Sequence, residues 1–256
     1  MMDASELVLE LKNVKIEFSR KLVLKNINLQ IRKGESLVLI GPSGHGKTVL
    51  LKILAGLQQT SSGEACVFGK GWQNLRGAER LATLKRLGML FQKNALFDSL
   101  TCAENIAFPL RETTKKTEQE VQKIVDHFLN CVGLPQVKSL FPDEISGGMQ
   151  KRLGIARALA LNPEIIFYDD PTAGLDPITS RKIIQTIGEL KSEANSTAIT
   201  VTNDMNRAYQ IADRIGFVVD QELLITGSKE QTLQHPDPRV QQFIRGAIDG
   251  PLTALG

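Results

Sequence analysis

The chain has 256 residues, 42% hydrophobic and 23% charged, with 31 basic and 28 acidic side chains for a net charge of +3. That length carries one large domain or two modest ones, and its balance of apolar and charged residues excludes wholesale disorder. The charge is too small to argue for nucleic acid as a partner, and no apolar run approaches the roughly 18 residues of a membrane span; the densest, residues 49–57, has Lys52 in its middle.

The opening MMDASELVLE has early acids and no basic segment ahead of an apolar one, so no secretory leader is expected. Residues 7–11 and 23–31 read as partly alternating strands, with Lys33-Gly34 marking a turn. Residues 36–40 form a near-continuous apolar run, the pattern of a strand buried on both faces. Directly after it, Gly41-Pro42-Ser43-Gly44-His45-Gly46-Lys47-Thr48 fulfils GxxxxGK[ST], and Val49, Leu50, Ile53, Leu54 and Leu57 then recur at helical spacing. A glycine-rich turn between strand and helix lets successive backbone N–H groups curl around phosphate oxygens. In such a loop Lys47 reaches the β- and γ-phosphates and the Thr48 hydroxyl holds Mg²⁺.

Thr117 and Glu120 form a capping-box pattern, followed by Val121, Ile124, Val125, Phe128, Leu129 and Val132 on one helical face and closed by Gly133. Between residues 94 and 160 no strand pattern appears, so this stretch reads as a helical subdomain inserted into an α/β core. Residues 165–168 are a buried strand ending in Asp169 and Asp170, and Asp169 is where a carboxylate would bind Mg²⁺ through water. Residues 196–202 and 215–219 are further strands, the latter turned by Asp220-Gln221, and the last twenty residues are irregular around one short helix. Cys66, Cys102 and Cys131 offer no disulfide framework, and His45, His127 and His235 are too scattered for a metal site.

Between the phosphate loop and Asp169 lies Ile145-Ser146-Gly147-Gly148-Met149-Gln150-Lys151-Arg152, which resembles the signature motif of the nucleotide-binding subunits of ABC transporters. Gln92 after Leu90-Phe91, the run Ala173-Gly174-Leu175-Asp176, and Phe18 in the place of an adenine-stacking aromatic extend the resemblance over essentially the whole chain. It implies a P-loop NTPase (RecA-like) α/β core with an antiparallel β subdomain, residues 1–93 and 161–235, an α-helical subdomain at residues 94–160, and a tail at 236–256. The implied cofactors are ATP and Mg²⁺, with residues 41–49 and Phe18 on the nucleotide and Thr48, Gln92 and Asp169 on the metal. Asp170, Asn203 and Gln92 fall at the catalytic positions. Ser146, Gly147, Gly148 and Met149 open a helix whose partial positive charge suits a γ-phosphate. Together with Asp176 they would meet nucleotide held by a second ATPase subunit, in a homodimer.

Residues 90–97, 107–112 and 235–243 resemble more narrowly the ATPase of the Mla-type (MCE-associated) phospholipid transporters. That likeness implies lipid, most simply phospholipid, as cargo, integral membrane permease subunits as partners, and a C-terminal tail, residues 236–256, that reaches across to the partner ATPase. MCE-type and small accessory subunits, a location on the cytoplasmic face of the inner membrane, and no nucleic acid follow in the same way. Two positions depart from the family: Asp170 stands where a glutamate polarises the attacking water, and Asn203 stands where a histidine is usual. Asp170 is one methylene shorter, and a misplacement of about 1 Å costs on the order of 100-fold in rate. Asn203 donates an amide N–H but carries no charge. A slow but working transport ATPase, a nucleotide-gated structural subunit, an ATPase of another ABC importer or exporter and a soluble ABC protein outside transport all remain open at this point. Phe18 has packing as an alternative role, and Arg76, Arg80, Lys85 and Arg86 near Trp72 read either as a solvated face or as a contact for anionic lipid headgroups.

Overall fold

The computed structural model describes residues 6–19 and 21–253. They divide into two compact units, residues 76–196 and the remainder on either side. In the first unit, β1 (Leu7–Phe18) and β2 (Lys21–Arg32) pair antiparallel from Leu7↔Arg32 to Phe18↔Lys21. Both are longer than the runs read from the sequence. Asn13 and Asn26 take left-handed φ of 49° and 52° at register shifts, so bulges break the alternation without ending the pairing. The strand β3 (Ser36–Ile40) is buried along its whole length, and α1 (Lys47–Leu54) follows it. Next, β4 (Ser62–Val67) pairs antiparallel with β1, and β5 (Lys70–Gly71) pairs with β4. The lone tryptophan, Trp72, is buried and donates its indole N–H to the Leu54 carbonyl at the end of α1, 3.1 Å away. Its ring fills the place of a side chain at Gly56, where a Cβ would come within 2.5 Å.

The second unit contains α2 (Gly77–Lys85), β6 (Leu87–Leu90), α3 (Cys102–Thr113), α4 (Glu118–Cys131), α5 (Gly147–Leu159), β7 (Ile165–Asp169) and α6 (Pro177–Ala194). The Thr117–Glu120 capping box opens α4 as the sequence predicts, and Val121, Val125 and Leu129 are buried on its inner face. They meet Ile106 and Leu110 of α3 and Leu153 and Ala156 of α5 in one apolar core. Within this unit β6 runs parallel to β7, Leu90 opposite Tyr168, so Gln92 and Asp170 leave the pair at the same edge.

Back in the first unit come β8 (Thr197–Val201), α7 (Met205–Ile211), β9 (Arg214–Val219), β10 (Glu222–Gly227), α8 (Lys229–Leu233) and α9 (Pro238–Arg245). The strands β8 and β9 flank β3 in parallel, and β10 returns antiparallel to β9. Asp220 and Gln221 at that return both have positive φ, 47° and 70°, the geometry of a two-residue hairpin turn. On this sheet Val38, Ile40 and Phe217 pack with Val240 of α9. The mixed α/β arrangement, with an antiparallel sheet, parallel strands and helices, is that of a P-loop NTPase. No helix among the described residues is long and apolar enough to cross a membrane.

Candidate nucleotide-binding site

The loop from Gly41 to Thr48 joins the buried β3 to α1. Gly41 sits at φ +139°, and a Cβ there would come within 2.2 Å of the Val218 carbonyl oxygen, so only glycine lets the chain leave β3 beside β9. Lys47 is buried, and its ammonium folds back to donate to the carbonyls of Gly41 at 2.7 Å and Pro42 at 2.8 Å. Gly46 precedes α1 in the left-handed region and no side chain caps that helix. Its first amides therefore face the loop without a capping side chain, which fits the phosphates of a nucleotide. Ser43 and Gly44 are exposed at the loop's crest, while His45, Thr48 and Val49 are half-buried.

Two further residues of this unit were expected near nucleotide. The strand β8 lies beside β3 with Val201 opposite Leu39, and the Thr202 amide donates to the Leu39 carbonyl, so Asn203 emerges at the same edge as Gly41. Phe18 ends β1 with 41% of its surface exposed, on the hairpin whose Val23 and Leu24 side chains lie against Gly46. One contact had no signal in the sequence: the Asp220 amide donates to His45 Nδ1 at 3.3 Å, tying the phosphate loop to the β9–β10 turn.

In the second unit, Asp169 is buried at the end of β7 and Asp170 follows, half-buried, at φ 49°. Gln92 is exposed after β6, and its backbone carbonyl accepts a 2.5 Å hydrogen bond from the Lys151 ammonium. Lys151 lies almost wholly inside the protein; burial pushes its pKa down, and the nearby Asp170 and Asp169 carboxylates oppose that shift. The sequence showed this cation only as part of a motif, because burial on α5 depends on tertiary packing.

The signature residues open α5 as expected, with Ser146 as N-cap. Its hydroxyl accepts from the Met149 amide at 3.3 Å, so that amide is already engaged within the helix start. A Cβ on Gly148 would come within 2.9 Å of Thr179, which packs α5 closely on α6. Asp176 caps α6, accepting from the amides of Ile178 and Thr179 and from the Thr179 hydroxyl. The Asp176 carboxylate is thus held low in pKa by those donors, Thr179 foremost.

No group of three or more His, Cys, Asp or Glu side chains among the described residues could hold a metal ion by itself. By donor chemistry, the Thr48 hydroxyl of one unit, and the Gln92 amide oxygen and Asp169 carboxylate of the other, are each of the oxygen type that Mg²⁺ takes. Two members of the basic cluster read from the sequence have partners inside their own unit, and the tryptophan near them in sequence is not exposed. Trp72 is buried, Lys85 donates to the Thr113 carbonyl, and Arg86 pairs with Glu164. A different aromatic pair is exposed: Phe97 and Phe108 pack edge to face at 4.7 Å, and the Arg157 guanidinium lies 4.4 Å over Phe97. Arg157 also lines a groove of about 240 Å³ with Met89, Phe91, Ala95 and Pro109.

Residues 24–173 match the family model of the ABC transporter. The intermembrane phospholipid transport system ATP-binding protein MlaF of Haemophilus influenzae is 40% identical over 96% of this chain and 93% of its own length. The probable ribonucleotide transport ATP-binding protein mkl of Mycobacterium leprae is 39% identical over 95% of this chain and 70% of its own. Among solved structures, a dimeric ATP-binding cassette in a post-hydrolysis state with ADP and Pi superposes with a TM-score of 0.77 at 34% identity. That superposition covers 84% of this chain and 96% of the cassette.

Proposed function

This chain belongs to the ABC transporter family as an ATP-hydrolysing subunit similar to MlaF, and on that premise we propose that it drives movement of phospholipid through separate permease subunits. The observation that carries ATP binding is the phosphate loop: a buried Lys47 folded onto the Gly41 and Pro42 carbonyls at the open start of α1. Residues 41–49 hold the phosphates, and Phe18 covers the adenine. Thr48, Gln92 and Asp169 would hold Mg²⁺, which would supply charge neutralisation at the phosphates. Asp170 accepts the proton of the attacking water, and Asn203 donates its amide toward the γ-phosphate. In a homodimer, Ser146, Gly147, Gly148, Met149 and Asp176 meet the nucleotide of the other subunit. The exposed Phe97 and Phe108 and the groove at Arg157 offer the permease an aromatic and basic contact. The complex works at the cytoplasmic face of the inner membrane, together with MCE-type and accessory subunits.

Hydrolysis is slow in this reading, because the base is short and Asn203 carries no charge. Those same two residues favour a second reading, a nucleotide-gated subunit that closes on ATP without turning it over. Steady-state ATPase of the complex with its permease, beside Lys47→Ala and Asp170→Asn, separates them. A measurable rate lost in both variants supports the motor. Background rates with ATP still tightly bound support the gate, and unchanged ATPase in Lys47→Ala overturns the phosphate-loop assignment.

A further inference from the structure

The phosphate loop holds one residue between its left-handed glycines Gly44 and Gly46, and that residue is anchored from outside the loop. His45 Nδ1 accepts the Asp220 amide, which fixes the imidazole as the tautomer protonated at Nε2. Asp220 is itself gripped: its carboxylate receives the Arg239 guanidinium at 2.9 Å. Arg239 turns its other edge to Asp237 at 2.7 Å, and Asp237 caps α9 by accepting the Arg239 amide. The helix α9 is in turn seated on the sheet through the fully buried Val240 and through Phe243, whose ring lies 5.4 Å from Phe217 of β9.

A relay of this kind needs a turn that would not hold its shape alone. Asp220 tolerates the left-handed region, but Gln221 at φ 70° has neither the short polar side chain nor the missing Cβ that makes such a conformation easy. A strained turn persists where its surroundings over-determine it. Here those surroundings are the Lys25 amide, which donates to the Gln221 carbonyl at 2.7 Å, and the Arg239 ion pair. The phosphate loop is built with glycines and gains definition from each tether it receives.

We propose that Arg239 is a positioning residue for the phosphate loop, acting through Asp220 and His45 to hold the loop in its nucleotide-ready shape. The inference rests on the reading of residues 41–48 as the nucleotide site and adds to it a control point in the C-terminal segment. Arg239 touches no substrate; it sets how much loop ordering remains to be done when nucleotide arrives, so its loss raises Kd and KM for ATP while sparing kcat.

The test uses the full chain with Mg²⁺ and the slowly hydrolysed analogue AMP-PNP for Kd, and ATP for kinetics. Arg239→Gln is expected to weaken binding about 5-fold, the worth of one or two hydrogen bonds, and to raise KM by a similar factor with kcat within about twofold. Arg239→Lys should recover part of the loss. In a His45→Ala background, where binding is already weakened, Arg239→Gln should add nothing further, since the relay is cut upstream. Asp220→Asn keeps the left-handed preference and the backbone N–H but weakens the ion pair, so it tests the same link if Arg239→Gln lowers yield. Unchanged affinity in both Arg239→Gln and Asp220→Asn overturns the proposal, as does an equal effect of Arg239→Gln with and without His45. A wild-type chain that binds no AMP-PNP overturns the nucleotide site as well, and so is told apart from failure of the relay alone.

Discussion

The ammonium of Lys151 donates to the backbone carbonyl of Gln92, so the helix that opens with the signature residues holds the strand end that carries the expected metal ligand. A buried lysine is costly unless its charge is answered, and Asp170 and Asp169 offset part of that cost. Losing a hydrogen bond from a charged group costs about 1.5–3 kcal/mol, or roughly 10- to 100-fold. Lys151→Met is therefore expected to lower kcat at least about tenfold while leaving ATP Kd within about twofold, and Lys151→Arg to retain part of the rate. Parallel ATPase and binding measurements check this; equal losses in both would place Lys151 in binding instead.

Asp170 occupies the left-handed region at φ 49°, where aspartate is far more at ease than glutamate. Asp170→Glu restores the family's longer base and is expected to raise kcat. It should also lower Tm by about 2–4 °C, from a backbone cost on the order of 1 kcal/mol. Asp170→Asn should remove most of the roughly 10²- to 10⁴-fold worth of base catalysis. Calorimetry beside ATPase reads the two effects separately, and a faster variant with unchanged Tm would reject the backbone explanation.

The Tyr168 hydroxyl is buried with no hydrogen-bond partner among the described residues, one residue before Asp169. Burial also pushes its pKa well up, so it stays neutral. Tyr168→Phe removes an unsatisfied polar group without opening a large void and is expected to raise stability by about 1 kcal/mol. A Tm rise of about 2–4 °C is the predicted reading; a fall would mean that the hydroxyl is satisfied in solution.

At the exposed join between α3 and α4, the Arg111 guanidinium beside Glu118 holds that carboxyl down at about 2 against an ordinary 4.5. A carboxylate depressed in the folded state stabilises above its unfolded value, and the contribution fades as pH falls through the folded one. The difference in Tm between the native chain and Arg111→Gln should thus be constant above about pH 5 and shrink toward pH 2. Added salt should shrink it too, because both groups are exposed. A difference that grows on acidification would contradict the pairing.

How far the sequence was legible depended on where each signal was stored. The capping box at Thr117, the apolar face of α4 and the Asp220–Gln221 turn are local, so they were readable and agree with the structure. The strand β6 is only four residues long, and α3 carries Pro109 inside it, so neither made a clean pattern. Pro109 is accommodated while the buried Asn105 side chain ties the preceding loop, donating to the carbonyls of Phe97, Leu100 and Thr101. For the site, the phosphate loop and the two strand-end carboxylates stood out because their chemistry fixes residue type and spacing. The anchoring partners Lys151, Asp220 and Arg239 did not, since each acts through a neighbour distant in the chain.

Trp72 is the single tryptophan of the 256 residues, and its indole N–H is bonded to the last turn of the helix that begins at Lys47. The chain therefore carries one indole, seated at the far end of α1, with no competing indole signal. Shifts of its emission on adding nucleotide report on the packing around the end of α1, at Leu54 and Gly56, and the protein needs no dye to be followed through its cycle.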